Sequence, residues 1–423
     1  MKNLFPALLI FFICCCKSPS AQNLPYVRKV IDTLAAPGMH GRGYVNDGDK
    51  IAARYIAHSF KALNLKSFKG NYYQEFNFPI NTFPGNMGLS INGIDLIPGK
   101  DFVADPSSGS GKGNFKAVVF NKEILENEKR FQKFKNTDFS HKLIIVDDAG
   151  VETDSLKNLF KAMASNPFKA EGVLMITDNK FTWSMSQKVF KHFVLKVQRN
   201  IIPPKVKEIS VNVDTRHIDN YPSQNVIAYV EGREQPDSFI VFTAHYDHLG
   251  RMGTNTYFPG ANDNASGTAM LLDLADYYTK HPPRYSVAFM AFSAEEVGLI
   301  GSAYYTEHLL FPLEKIKFLV NLDLMGNGEE GITVVNATEY DKEFKTLVAL
   351  NAKNSYLKEV YPRGKAANSD HYHFSEKGVK AFFIYTMGGS KAYHDIYDTL
   401  DQLPLSEYED LFQLFTDFVL TIH

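Results

Sequence analysis

Phe239-Ile240-Val241-Phe242-Thr243-Ala244 is a nearly unbroken apolar run, and it stops abruptly at His245-Tyr246-Asp247-His248-Leu249-Gly250. A strand with one wet face alternates apolar and polar residues. A run without that alternation suits a strand covered on both sides, as in a parallel sheet between helices. The chain downstream keeps the same rhythm. Ala265–Lys280 has helical spacing, Tyr285–Phe292 and Ile316–Leu324 read as strands, and Phe344–Lys353 reads as a helix. Val379–Tyr385 is another strand and Leu405–Thr421 a closing helix. This alternation predicts an α/β fold: a mixed, mostly parallel central sheet with helices on both faces.

Working outward, residues 24–66 are helical in pattern, broken by the turn Ala36-Pro37-Gly38-Met39-His40-Gly41-Arg42-Gly43, and 72–80 alternates like an edge strand. Residues 83–215 differ, with short β-like runs at Lys116–Phe120, Lys142–Val146 and Gly172–Thr177 and a polar Gly/Ser loop at 107–111. They read as an inserted β-rich domain within a catalytic domain made of 22–82 and 216–423.

The N-terminus has the layout of an export signal: Lys2, the apolar stretch Leu4–Ile13, then Ser18-Pro19-Ser20-Ala21. Cleavage after Ala21 and acylation at Cys16 as a lipoprotein are both consistent with residues 1–21. Either route places the protein outside the cytoplasm, in the periplasm, on the outer membrane or in the medium. A membrane association would then come only through a lipid anchor. All three cysteines lie at 14–16, so the exported chain has no internal disulfide. Lys plus Arg is 45 against 47 Asp plus Glu, which excludes charge-driven nucleic-acid binding. No run approaches the ~20 apolar residues that span a bilayer.

Ligands of open α/β sheets gather at the carboxyl ends of strands, and the polar residues sit there. One strand ends in His245 and Asp247, the next in Ser293-Ala294-Glu295-Glu296, and a third at Asp323. Between the first two lies Pro259-Gly260-Ala261-Asn262-Asp263-Asn264-Ala265-Ser266-Gly267, and near the end comes Tyr393-His394-Asp395-Ile396-Tyr397-Asp398-Thr399. Taken singly, these are ordinary caps and solvated turns. Together, the carboxylates would repel one another at high desolvation cost unless a divalent metal pair joined them. A carboxylate on a glycine-flanked turn, such as Asp263, can reach two ions about 3.5–4 Å apart. His and carboxylate donors suit zinc. Of the neighbours Glu295 and Glu296, one can bind metal while the other accepts a proton from water. Asp247, two residues after His245, is placed to orient that ring.

With these residues assembled, the sequence resembles the zinc-dependent exopeptidases of the bacterial secreted aminopeptidase and glutamate carboxypeptidase type. The likeness rests on AHYDHLG (244–250), PGANDNASG (259–267), SAEEVGLIGS (293–302), NLDLMG (321–326), SDH (369–371) and YHDIYDT (393–399), in order across 225–423. HGRG (40–43) with the helix 50–65 looks like the family's leading segment, and 83–215 is similar to a protease-associated domain. The resemblance implies two zinc ions bridged by Asp263, with His245 and Asp323 on one and Glu296 and His394 on the other. It makes Glu295 the general base and acid, peptides the substrates and N-terminal residues the products. It also implies a cis bond between Asp263 and Asn264, and a pocket shaped by Asp370 and His371. Where some members have a tyrosine before SDH to hold the oxyanion, this chain has Asn368, so that motif names no oxyanion donor here. Glutaminyl cyclases share the fold and most of these residues, but the insert and the His248 form of AHYDHLG argue against that chemistry. A non-catalytic binding homologue would lack ligands, and none of the five is missing.

Overall fold

Buried β-branched and aromatic runs become two eight-stranded mixed sheets in the computed structural model, which describes residues 23–423. The export segment expected at 1–21 lies outside the described residues. The first sheet runs in the order Tyr73–Thr82, Arg216–Val230, Tyr285–Phe292, Gln235–His245, Ile316–Asp323, Ala381–Met387, Gly331–Val335, Val360–Pro362. Its four middle strands are mutually parallel. The opening run sits at their centre, and Tyr285–Phe292 beside it is buried along its whole length, as a strand covered on both faces must be. Helices Leu24–Ala35, Gly48–Ala62, Gly267–Lys280 and Tyr408–Leu420 pack into one core layer. Ile300–Glu307 and His371–Glu376 contribute Tyr305 and Phe374 to the other. The fold is the expected mixed α/β architecture.

The register brings the strand ends level. His245 pairs with Phe292 and Asp323 with Tyr385, so the parallel strands stop at nearly the same height. The segments after them, 246–250, 293–299 and 324–327, therefore emerge along one edge of the sheet.

Several elements depart from the sequence pattern. The helix expected from Ala265 starts at Gly267, because 261–266 form a wide π-type turn containing a cis peptide between Asp263 and Asn264. The closing helix starts at Tyr408, not Leu405: Leu405 has a φ of 54°, outside the helical region. Strands Gly331–Val335 and Val360–Pro362 are too short to show a period.

The second sheet comes from strands between Met87 and Val213, and helices Glu128–Lys135 and Asp154–Ala162 cover one face of it. The region is thus α/β as well as β-rich. Each of those helices buries a single side chain, Phe134 or Phe160, in a charged stretch, which leaves little periodicity to detect. The opposite face shares a core with Leu249, Met252 and Phe258, which lie beside the first sheet's carboxyl edge. Among the described residues no helix is long and apolar enough to cross a membrane.

Candidate metal centre

The turn carrying Asp263 is gripped from two sides. Arg42 is completely buried and donates five hydrogen bonds to main-chain carbonyls: Leu34, Tyr246, Pro259, Gly260 and Asp263, at 2.7–3.0 Å. On the other side the Asp398 carboxylate accepts from the amides of Asn262 (2.9 Å) and Asp263 (3.0 Å). Gly260 has a φ of 57°, and a Cβ there would fall 2.1 Å from the Asp263 carbonyl and 2.6 Å from the Arg42 guanidinium, so only glycine fits. Gly43 packs onto Gly250 closely enough that a Cβ would lie 2.3 Å from the Gly250 Cα. The HGRG segment is thereby pressed against the AHYDHLG turn.

Both histidines are held in one tautomer by main-chain carbonyls, which can only accept. His245 Nδ1 donates to the Asp247 carbonyl (3.1 Å), and His394 Nδ1 donates to the Trp183 carbonyl (2.8 Å). Each Nε2 faces carboxylates. His245 Nε2 lies 3.4 Å from Asp263 Oδ1 and 3.5 Å from Asp323 Oδ2. His394 Nε2 lies 3.0 Å from Asp263 Oδ2 and 3.3 Å from Glu296 Oε2. The two oxygens of Asp263 thus face different imidazoles, each paired with its own second carboxylate. The Asp247 carboxylate is 3.7 Å from the His245 ring. It accepts from the Tyr44 hydroxyl (2.8 Å) and from the amides of Glu295 (3.2 Å) and Glu296 (3.4 Å), tying the glutamate loop to the leading segment.

The electrostatics reflect burial and crowding. Burial, reinforced by Glu296, Asp370 and Asp323 against His245, pushes Glu295 well above the ordinary carboxyl range. Burial also opposes charge on His394, but Glu296 and Asp263 outweigh it and push that imidazole up to about 10. His245 is raised as well: Glu295 and Asp323 overcome its desolvation. Burial would raise Asp263, but the His394 hydrogen bond and the charges of His248, His394 and His245 hold it below the usual range. Carboxylates this close call for positive charge. Two donor groups could each hold a metal ion, His245–Asp263–Asp323 and His248–Asp263–Glu296. With imidazole lone pairs and carboxylate oxygens converging, the donor set fits divalent zinc. An ion entering would displace the imidazole protons.

All five expected ligand positions and Glu295 therefore converge. Asp370 and His371 do not line a surface: both are fully buried. The His371 ring stacks on Phe383, and burial lowers its pKa to about 3. Asp370 is pushed by burial up to about 7 and joins the charge cluster beside Glu295. Sequence reasoning assigned no role to four residues of this centre. His248 Nδ1 is 2.7 Å from Glu296 Oε1; its presence in AHYDHLG was the signal. Arg42 and Asp398 lay in quoted motifs without a role. Tyr393 stacks on the His394 ring at 4.0 Å and is half-exposed. Burial and the charges of Asp263, Glu296, Asp323 and Glu295 hold its phenol protonated. The sequence directed attention to Asn368 instead, although a tyrosine beside an expected ligand histidine was visible.

Residues 225–419 match the model of Peptidase family M28. Aminopeptidase YwaD of Bacillus subtilis (strain 168) is 32% identical over 171 residues, 39% of this chain and 36% of that protein. A probable zinc metalloprotease of Pyrenophora tritici-repentis is 37% identical over 111 residues, 25% of this chain and 23% of the relative. The matched stretches thus span about a third or less of these curated relatives. Among solved structures, BSAP, a zinc aminopeptidase from Bacillus subtilis, superposes with a TM-score of 0.70 at 21% identity, covering 93% of both chains. An aminopeptidase from Aneurinibacillus sp. strain AM-1 gives 0.61 at 22% identity, covering 94% of this chain and 93% of that one. These likenesses establish a shared fold over nearly the whole chain.

Proposed function

We propose that this chain, whose residues 225–419 match the model of Peptidase family M28, is a metal-dependent aminopeptidase that removes N-terminal residues from peptides at a two-cation centre. One observation carries the reading: Asp263 turns one carboxylate oxygen toward His245 and the other toward His394, each imidazole accompanied by a second carboxylate. The family match and the aminopeptidases named above support the reaction class.

His245, Asp263 and Asp323 would hold one ion, and Asp263, Glu296 and His394 the other. When bound, two zinc ions supply Lewis acidity, polarising the scissile carbonyl and making a nearby water a better nucleophile. Glu295, with its raised proton affinity, takes a proton from the attacking water and delivers it to the departing amine. Tyr393, kept protonated, donates a hydrogen bond to the carbonyl oxygen as negative charge develops on it. Residues 83–215 are read as a protease-associated-like insert in a peptidase domain of 22–82 and 216–423. Export is supported by the signal-like residues 1–21.

The test is hydrolysis of aminoacyl-anilide reporters by purified protein. Activity abolished by a chelator, restored by zinc and absent on N-acetylated reporters is the expected result. Chelator-resistant cleavage, or equal cleavage of blocked substrates, contradicts the proposal.

A further inference from the structure

Residues 178–188 leave the second sheet and cross to the metal centre, touching both loops of the Glu296–His394 side. Trp183 exchanges two hydrogen bonds with His394: its amide donates to the His394 carbonyl (2.9 Å), and its carbonyl accepts from His394 Nδ1 (2.8 Å). Gln187 Nε2 donates to the carbonyl of Val297 (2.9 Å), directly after Glu296. Lys180 pairs with Asp395 at 2.5 Å. The crossing is rooted by the Trp183 side chain, which is 2% exposed, donates through Nε1 to the Ala104 carbonyl (2.8 Å) and stacks on Phe258 at 4.6 Å. Among the described residues no such contact reaches His245, whose Nδ1 is held within its own loop by Asp247.

We infer that the 178–188 strap is a working part of the Glu296–His394 cation site, with Trp183 as the positioning residue that sets the tautomer and direction of His394. The inference rests on the two-cation reading and adds that the two sites differ in origin. One is built within residues 225–419, and the other needs a carbonyl from outside that match. A hydrogen bond to the far nitrogen of a ligand histidine fixes its ring and raises its basicity, and losing such a partner typically weakens metal binding about 10–100-fold. Trp183→Ala frees the strap backbone and should weaken one ion by that factor while leaving the other unchanged.

The experiment is calorimetric titration of zinc into the chelator-stripped full chain, for wild type, Trp183→Ala, His394→Ala and the double variant, with circular dichroism checking the fold. Two ions in wild type, selective weakening of one in Trp183→Ala, and little further loss in the double variant beyond His394→Ala support the inference. Should Trp183→Ala fail to fold, Lys180→Met/Gln187→Ala, changed only in exposed side chains, should show the same selective weakening by several-fold. Two ions in wild type but equal affinities in the folded variants, or both ions weakened alike, overturn it. Fewer than two ions in wild type overturns the two-cation reading itself, and this inference with it.

Discussion

Replacing Arg42 by lysine keeps the positive charge in place and removes part of the hydrogen bonding. The guanidinium satisfies five buried carbonyls. An ammonium has three donors and no planar fork, so at least two carbonyls lose their partner. Bonds involving a charged group contribute about 1.5–3 kcal/mol each, and a buried acceptor left bare costs its desolvation. Arg42→Lys should therefore destabilise the protein by about 3–6 kcal/mol, comparable with breaking a buried ion pair. Burial lowers the Arg42 pKa to about 10, so the residue is still charged at neutral pH. Equilibrium unfolding in urea, followed by tryptophan fluorescence and circular dichroism, would reveal the change as a lowered midpoint at unchanged slope. The single tryptophan, Trp183, is buried between the second sheet and the metal centre, so its emission reports on this region. A loss below about 1 kcal/mol would refute the claim that Arg42 clamps the Asp263 turn.

Three further outcomes are expected. Glu295→Gln should lower kcat by about 10²–10⁴-fold with zinc content unchanged by elemental analysis; wild-type turnover would remove Glu295 from the proton-transfer role. Tyr393→Phe should lower kcat about 10²–10³-fold with KM little changed, and a pure KM effect would contradict an oxyanion donor. Asp273 is buried with one carboxylate oxygen unpartnered and, mainly through that burial, its pKa is raised to about 7. A raised folded value means that its contribution is fully present below the unfolded value near 4 and is lost as pH rises through about 7. Asp273→Asn should thus show no pH-linked gain over wild type below about pH 4, and a gain that grows from there to about pH 7 and levels off at about 1–3 kcal/mol by pH 8; a pH-independent difference would contradict the assignment.

The sequence by itself determined the fold class and pointed to the residues that gather at the candidate metal centre. Unbroken apolar runs such as Phe239–Ala244 signal strands covered on both faces, and ligands of such sheets gather beyond the strands' carboxyl ends. His245, Glu296 and Asp323 could therefore be gathered by counting to strand ends, with Asp263 on the turn between them. Short elements such as Gly331–Val335, and the helices around Phe134 and Phe160, were illegible because each carries too few buried residues to set up a period. The direction of each imidazole was decided only in three dimensions, by carbonyls of Asp247 and Trp183. The tertiary structure also decided the conformation of the Asp263 turn, through Arg42 more than 200 positions away and Asp398 from the other side. Those contacts end on main-chain atoms, which every residue type possesses. A side-chain pattern can announce which groups bind a cation, but main-chain partners brought from distant parts of the chain leave no mark in the sequence.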